Sequence, residues 1–234
     1  MEIKGKKAIV FGGTSGIGLA ASKLLAEKGA TVIAVSRNPD RAGPLPANIS
    51  TEACDVRERE KLSALFAKHA PFDILVSSAT GGTRPRGPFL EMDLGGFQGS
   101  FDKLWGYANV VRLGTEHLGA DGAIVLVSGS PARKAKPGQA ALSSVGGAVE
   151  ALARAIAPEI APRRINVVAP GVIDTPMQTA TGEARKELYR KMTAGNAIPR
   201  AGTSEEVAAG ILFVIENDFV TGTILDVDGG WLVA

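Results

Sequence analysis

The segment Gly12-Gly13-Thr14-Ser15-Gly16-Ile17-Gly18 is where residue types and spacing first amount to chemistry. It follows the apolar run Ala8–Phe11 and precedes an amphipathic stretch. A tight turn there needs residues that tolerate positive φ. A backbone without Cβ lets a pyrophosphate approach, and a helix N-terminus offers free N–H groups and a positive dipole end. A strand before and a helix after give this string the context of a phosphate site, against the alternative of a plain glycine turn. Five cations, Arg84, Arg86, Arg133, Lys134 and Lys136, fall in later loops. They suit an anionic substrate, or simply a solvated rim. One cysteine, Cys54, and two histidines, His69 and His117, form no cluster, so no metal site is expected.

These groups need a scaffold, and 234 residues supply one core. Short apolar runs rich in Val and Ile recur at Ala8–Phe11, Val32–Val35, Ile74–Val76, Ala123–Val127, Ile165–Ala169 and Ile224–Val227. Continuous runs mark strands buried on both faces. Helical stripes lie between them: Ile17, Ala20, Ala21, Leu24 and Leu25; Phe97, Phe101, Leu104, Ala108 and Val111; Leu142, Val145, Val149, Leu152 and Ile156. Thr203 and Glu206 are spaced as a capping box before Val207, Ile211 and Val214. Strand and helix in alternation predict one α/β domain over 1–234, a doubly wound parallel sheet with helices on both faces. Two long loops, Thr80–Gly96 and Val172–Ala201, follow strands and so reach the carboxyl edge, where such sheets bind ligands. The second holds a short helical piece near Glu183–Met192 and forms a small substrate lobe at about 172–201.

The same composition excludes several classes. A lone cysteine cannot make an internal disulfide. No run approaches the roughly 18 apolar residues of a membrane span. The N-terminus shows no signal layout, which leaves the cytoplasm as the default. A net charge of +2 from mixed basic and acidic residues does not call for nucleic acid.

The spacing Gly12-x-x-x-Gly16-x-Gly18 resembles the short-chain dehydrogenase/reductase family, and the likeness covers the whole chain. Asp55-Val56 sits at that family's adenine contact after the third strand. Ser77-Ser78-Ala79-Thr80 stands where the family carries Asn-Asn-Ala-Gly. Arg164-Ile165-Asn166-Val167 with Pro170-Gly171-Val172-Ile173-x-Thr175 matches the segment flanking the nicotinamide. Val227-Asp228-Gly229-Gly230 matches the C-terminal signature. The resemblance implies a Rossmann-type fold and a nicotinamide cofactor held by Gly12, Thr14, Ser15, Gly16, Ile17, Gly18, Ser36, Arg37, Asp55, Val56, Ser78, Ala79, Thr80, Pro170, Gly171, Val172 and Thr175. A carboxylate after the second strand would hold the ribose 2′-OH of NAD. Ser36-Arg37 stands there instead and suits a 2′-phosphate, so NADP(H) is expected over NAD(H).

The family's proton donor is a Tyr, activated by a Lys four residues on. Aligned by Val149-Glu150-Ala151-Leu152-Ala153-Arg154, those positions fall on Leu142 and Gly146. The span Gly138–Ala157 holds neither Tyr nor Lys. The family's Ser position falls on Gly129, between Ser128 and Ser130, and its Asn position falls on Lys103. Phe101-Asp102-Lys103-Leu104-Trp105-Gly106 with Ser128-Gly129 resembles a divergent branch that shares this loss. The replacement candidates are Lys103 as proton donor and Ser128 or Ser130 as the group that polarises a carbonyl or imine. Tyr107 lies one turn after Lys103 and either shares its face or meets solvent or a second subunit. Two functions stay open: an NADP(H)-dependent oxidoreductase with a non-standard donor, or a catalytically silent NADP(H)-binding regulatory or assembly protein. The resemblance also implies a homodimer or homotetramer through helices at about Phe97–Leu118 and Gly138–Ala157. The two Trp, Trp105 and Trp231, read as core or subunit contacts.

Overall fold

A computed structural model describes residues 1–234. Seven strands form one sheet in the order β3-β2-β1-β4-β5-β6-β7, every neighbouring pair parallel. The strands are β1 Lys7–Phe11, β2 Thr31–Ser36, β3 Ile49–Ala53, β4 Phe72–Ser77, β5 Leu118–Val127, β6 Arg164–Pro170 and β7 Ile224–Val227. The helices are α1 Gly16–Glu27, α2 Arg59–His69, α3 Leu94–Ser100, α4 Asp102–Gly114, α5 Ala140–Ile156, α6 Gly182–Thr193 and α7 Ser204–Glu216.

Alternate strand residues feed two cores. Val10, Val32, Val76, Val125 and Val168 pack on α1 and α7. Ile9, Ile33, Leu75, Ile124 and Val167 pack on α2, α4 and α5. Phe66 of α2 locks the second core, its ring centroid 5.7 Å from both Phe11 and Phe72. The order reverses between β1 and β4, and the crevice at their carboxyl ends is where this topology places ligands.

Helix ends are satisfied by side chains. Thr203 and Glu206 form the expected capping box, with Glu206 N donating to Thr203 Oγ1 at 3.1 Å and Thr203 N to Glu206 Oε2 at 2.8 Å. Buried Arg164 donates to the carbonyls of Val214 and Ile215 at 2.8 and 2.6 Å, closing the other end of α7.

Three differences from the sequence expectation have physical reasons. Strand β3 escapes the search for apolar runs because it is an edge strand, Ile-Ser-Thr-Glu-Ala, and only Ile49 is buried. The stripe from Phe97 to Val111 is two helices, broken at Phe101. Asp93 caps the first by accepting from Gly96 N at 2.6 Å. The face of α5 turned to the sheet carries Ala141, Val145, Val149 and Ala153, while Leu142, Leu152 and Ile156 are half-buried beside it.

Candidate functional site

The glycine loop between β1 and α1 is cut to fit against the neighbouring strand. Gly12 has φ +75°, and a Cβ on it would stand 2.9 Å from Ala79 N. A Cβ on Gly18 would stand 2.2 Å from the carbonyl oxygen of Gly12. The backbone can therefore lie flat at the N-terminus of α1 only as glycine. Thr14 is buried and donates from Oγ1 to Ser36 Oγ at 2.8 Å, which ties the loop to the end of β2 and leaves the Ser36 proton free to point outward.

One cleft gathers Gly12, Thr14, Ser15, Ser36, Arg37, Asp55, Val56, Ala79 and Thr80. It also gathers Arg41, which the sequence reading missed, and Cys54, whose thiol burial pushes up to about 11. Arg41 lies one short 3₁₀ turn beyond Arg37, so the basic pair Arg37-x-x-x-Arg41 was the available signal. Asp55 is gripped by Arg57, whose side chain reaches Oδ1 at 3.2 Å and Oδ2 at 3.0 Å and holds its carboxyl below the ordinary range. Arg57 also meets Asp102 at 2.9 Å, which docks the start of α4 beside this cleft. Gly16, Ile17 and Gly18 lie in the first turn of α1. Ser78 Oγ donates to Phe11 O at 3.1 Å and sits beneath the loop. Thr175 is 3.6 Å from where a Cβ on Gly16 would be, so the segment after β6 closes over the loop. Pro170 ends β6, and Gly171 packs on Asp228 of the C-terminal signature, which leaves no room for a Cβ. Val172 O accepts from Gly202 N at 2.9 Å. Arg185 of α6 pins this lobe by donating to Gln178 O and, at 2.8 Å, to Thr175 O.

The second half of the site lies past β5. Lys103 Nζ points from α4 to Ser128 O at 3.4 Å, its single hydrogen bond. Burial, and then the positive field of Arg84, bring the ammonium down to about 7 from an ordinary 10.5. Tyr107 lies beneath it, with Nζ 5.4 Å from the ring centroid. Tyr107 is wholly buried and donates to Val127 O at 3.0 Å, and burial raises its hydroxyl further from neutrality. It faces neither solvent nor a partner, and is a core residue. Ser128 Oγ donates to Glu150 Oε1 at 3.0 Å. Ser130 is fully enclosed, and its hydroxyl has no partner. Glu150 is the other residue missed by sequence: a carboxylate on the buried face of α5, with Arg133 Nε 3.4 Å from Oε2. Its charge beside the apolar positions Val145, Val149 and Ala153 was the visible signal.

The family model described as enoyl-(acyl carrier protein) reductase matches residues 12–232. The chain belongs to the short-chain dehydrogenase/reductase family. It is 32% identical over 239 residues to carbonyl reductase family member 4 of Danio rerio, covering 95% of this chain and 96% of that protein. It is equally 32% identical to a 3-oxoacyl-[acyl-carrier-protein] reductase of Thermotoga maritima, over 253 residues and 100% of both chains. A crystal structure of a small-chain dehydrogenase in complex with NADPH superposes with a TM-score of 0.87 at 27% identity, covering 99% of this chain and 100% of that one. Members of this short-chain dehydrogenase/reductase family are oxidoreductases that bind nicotinamide cofactors. The glycine cradle, closed to a Cβ at Gly12 and Gly18, fits such a dinucleotide.

In the alignment by Val149–Arg154, the family's Tyr and Lys would fall on Leu142 and Gly146. The structure shows why a lysine at 146 has no room. A Cβ there would stand 2.9 Å from Ala132 Cβ, because the turn Ser130–Ala132 packs down on α5. Gly146→Lys combined with Leu142→Tyr is therefore expected to lower stability by about 1–3 kcal/mol through overpacking, without restoring the usual donor. Chemical denaturation together with a turnover assay on a nicotinamide cofactor checks this. Gly18→Ala is expected to abolish any thermal stabilisation by a nicotinamide dinucleotide, since its methyl meets the Gly12 carbonyl. A scanning-calorimetry shift equal to wild type would contradict that geometry.

Proposed function

We propose that this chain is an NADP(H)-dependent reductase of a carbonyl or imine, with Lys103 in place of the family's Tyr as proton donor. The observation that carries it is the Lys103 ammonium, half-buried at the head of β5 and poised to gain or lose a proton at about 7. A general acid works best when its pKa lies near the working pH. When bound, NADPH supplies a hydride to the carbonyl carbon. The chain's own work is to hold and protonate. Gly12, Ser15, Gly16, Ile17 and Gly18 present backbone to the pyrophosphate. Asp55, Val56 and Ala79 border the adenosine half. Ser78, Thr80, Pro170, Gly171, Val172 and Thr175 frame the nicotinamide end. Ser36 and Arg37, joined by Arg41, face the ribose 2′-phosphate. Lys103 gives its proton to the carbonyl oxygen, becomes a neutral amine, and is recharged from water.

Ser128 lends its hydroxyl hydrogen to Glu150, so toward substrate its oxygen offers a lone pair. Its part is to keep the donated proton aimed, through the carbonyl that accepts from Lys103. Ser130, enclosed in this arrangement, is left out of the assignment.

A homo-oligomer through α4 and α5 belongs to the same proposal. Trp105 is 61% exposed on α4, and Leu152 and Ile156 lie half-buried on α5. Trp231, by contrast, is buried and donates to Lys134 O at 2.9 Å, so it is a packing residue within the chain. Residues 1–234 are read as one functional unit with the lobe at about 172–201 facing substrate, and a reducing compartment such as the cytoplasm suits the lone buried Cys54.

The test is a panel of aldehydes, ketones and imines with NADPH, run beside NADPH binding for wild type and Lys103→Ala. Turnover lost and binding kept in the variant is the expected pair. Tight binding with no turnover by wild type over the whole panel leaves the silent nucleotide-binding reading instead.

A further inference from the structure

Three of the five loop cations hold parts of the chain together. Arg133 donates from Nη1 to Asp226 Oδ2 at 2.9 Å, Lys134 donates to the carbonyl oxygen of Ala234, and Lys136 stands over the Trp231 ring, 4.0 Å from its centroid. Arg185 of α6, which the sequence reading did not single out, goes further: every N–H of its guanidinium is spent on one short segment. Nε donates to Asp174 Oδ1 at 3.0 Å, and Nη2 donates to that same oxygen and to Thr175 O at 2.8 Å. Nη1 donates to Gln178 O at 2.6 Å and to Ala180 O at 3.1 Å. A guanidinium has five donors in one planar fork, so none is left over for solvent or a ligand.

The segment needs such a clamp. Apart from a turn at Pro176-Met177, residues 174–180 belong to no helix or strand. Their backbone is held by side chains and by two local bonds, Gln178 N to Thr175 O at 3.1 Å and Ala180 N to Gln178 Oε1 at 3.0 Å. The clamp itself is anchored at both ends. Tyr189, one helical turn after Arg185, is buried; its ring centroid lies 5.4 Å from Arg185 Cζ, and its hydroxyl donates to Asp174 Oδ1 at 3.2 Å. Asp174 N donates to Gly202 O at 2.8 Å, which ties the segment to the chain that enters α7. What the clamp holds in place lies over the phosphate loop. Gly16 has φ +50°, and a Cβ on it would stand 3.6 Å from Thr175 Cβ and 3.8 Å from Pro176 Cδ. Arg185 itself stands outside the cleft that gathers Ser36 and Arg37.

We propose that Arg185 is a positioning residue for the nicotinamide half of the dinucleotide: its guanidinium fixes Asp174–Ala180 as a wall over the glycine loop, so that this half of the cofactor meets a surface already shaped. An irregular segment that must be ordered at the moment of binding costs affinity, and one held beforehand by its own chain does not. The adenosine half, which lies toward Ser36, Arg37 and Asp55, gains nothing from the clamp. Lysine cannot take over the task, because its ammonium is a point with three donors and cannot span from Asp174 to Ala180. The inference rests on the NADP(H) reading and is independent of which group donates the proton.

The experiment titrates the full chain, by calorimetry, with NADPH and with adenosine 2′,5′-bisphosphate, which lacks the nicotinamide half. Arg185→Lys and Arg185→Ala are each expected to raise the NADPH dissociation constant about 10- to 100-fold, the effect of losing charged hydrogen bonds and of ordering a segment on binding. Affinity for the bisphosphate stays at the wild-type value in both, which also reports that the variants are folded. Amide hydrogen exchange on the same samples is expected to quicken over 174–181 and to keep wild-type rates over β1 and α1. Arg190→Gln, on the same helix but bonded to Glu187 at 2.7 and 2.8 Å, changes none of these readings. Wild-type NADPH affinity in Arg185→Lys overturns the proposal. Equal losses for the two nucleotides overturn it as well, and so does free-peptide exchange over 174–181 in the unmodified protein. NADPH binding no tighter than the bisphosphate in wild type also overturns it. In each of these cases the NADP(H) reading stands. Failure of the unmodified protein to bind either nucleotide removes that reading and the inference with it.

Discussion

Replacing Lys103 by Met is expected to lower kcat for carbonyl reduction by about 100- to 10,000-fold, the usual worth of a positioned general acid. The loss carries a signature in pH. In wild type, kcat/KM for reduction falls as pH rises through about 7, because the free protein then holds Lys103 neutral. For alcohol oxidation it climbs over the same range, because the neutral amine is the base. Lys103→Met flattens both limbs. Stability follows the same group with the opposite sign from a salt-bridged lysine. Burial lowers the folded value from 10.5 to about 7, so the unfolded chain binds more protons between those limits. Stability contributed by this site rises with pH across that window, and the penalty is complete below it. The variant is expected to lose this slope and to gain stability below pH 7. A reduction limb near 7 that survives in Lys103→Met would assign the proton to another group.

Reversing charge at Arg37 gives the second large effect. Arg37 and Arg41 border the cleft beside the Ser36 hydroxyl, and the hydroxyl already accepts from Thr14, so its proton is available to a phosphate oxygen. A guanidinium bond to phosphate is charge-assisted and contributes about 1.5–3 kcal/mol. Arg37→Asp is therefore expected to raise the NADPH dissociation constant about 10- to 100-fold or more, while NADH binding holds or improves as the new carboxylate meets the 2′-OH. Arg41→Ala shifts NADPH in the same direction by less. Fluorescence titration of both nucleotides reads the ratio. Equal losses for NADPH and NADH would place the 2′-phosphate elsewhere.

The sheet was legible because its central strands are buried on both faces and leave continuous runs of Val and Ile. Edge strand β3 was not, since one residue of five meets the core and the rest answer to solvent. The glycine loop was legible because φ +75° at Gly12 and a 2.2 Å approach at Gly18 admit one residue type only, and such constraints print directly into sequence. That Gly138–Ala157 holds neither Tyr nor Lys was equally plain. What replaced them depends on distances between segments far apart in the chain. Lys103 is one charge on an amphipathic helix in sequence, and only the fold brings its Nζ to Ser128 O. Tyr107 shares its helix face yet turns out to be packing, because Val127 O takes its hydroxyl. Arg41 and Glu150 each leave a trace in sequence, a basic pair and an acid among apolar positions, but the turn after β2 and the buried face of α5 are what bring them to the site.

The most direct measurement follows NADPH consumption by the purified protein over a carbonyl panel at pH 6.5 and 8.5, with product alcohol quantified and NADPH affinity determined on the same samples. Turnover that is faster at the lower pH in wild type and lost in Lys103→Met, with NADPH affinity unchanged, is the predicted result. Micromolar or tighter NADPH binding with no alcohol formed at either pH would contradict it.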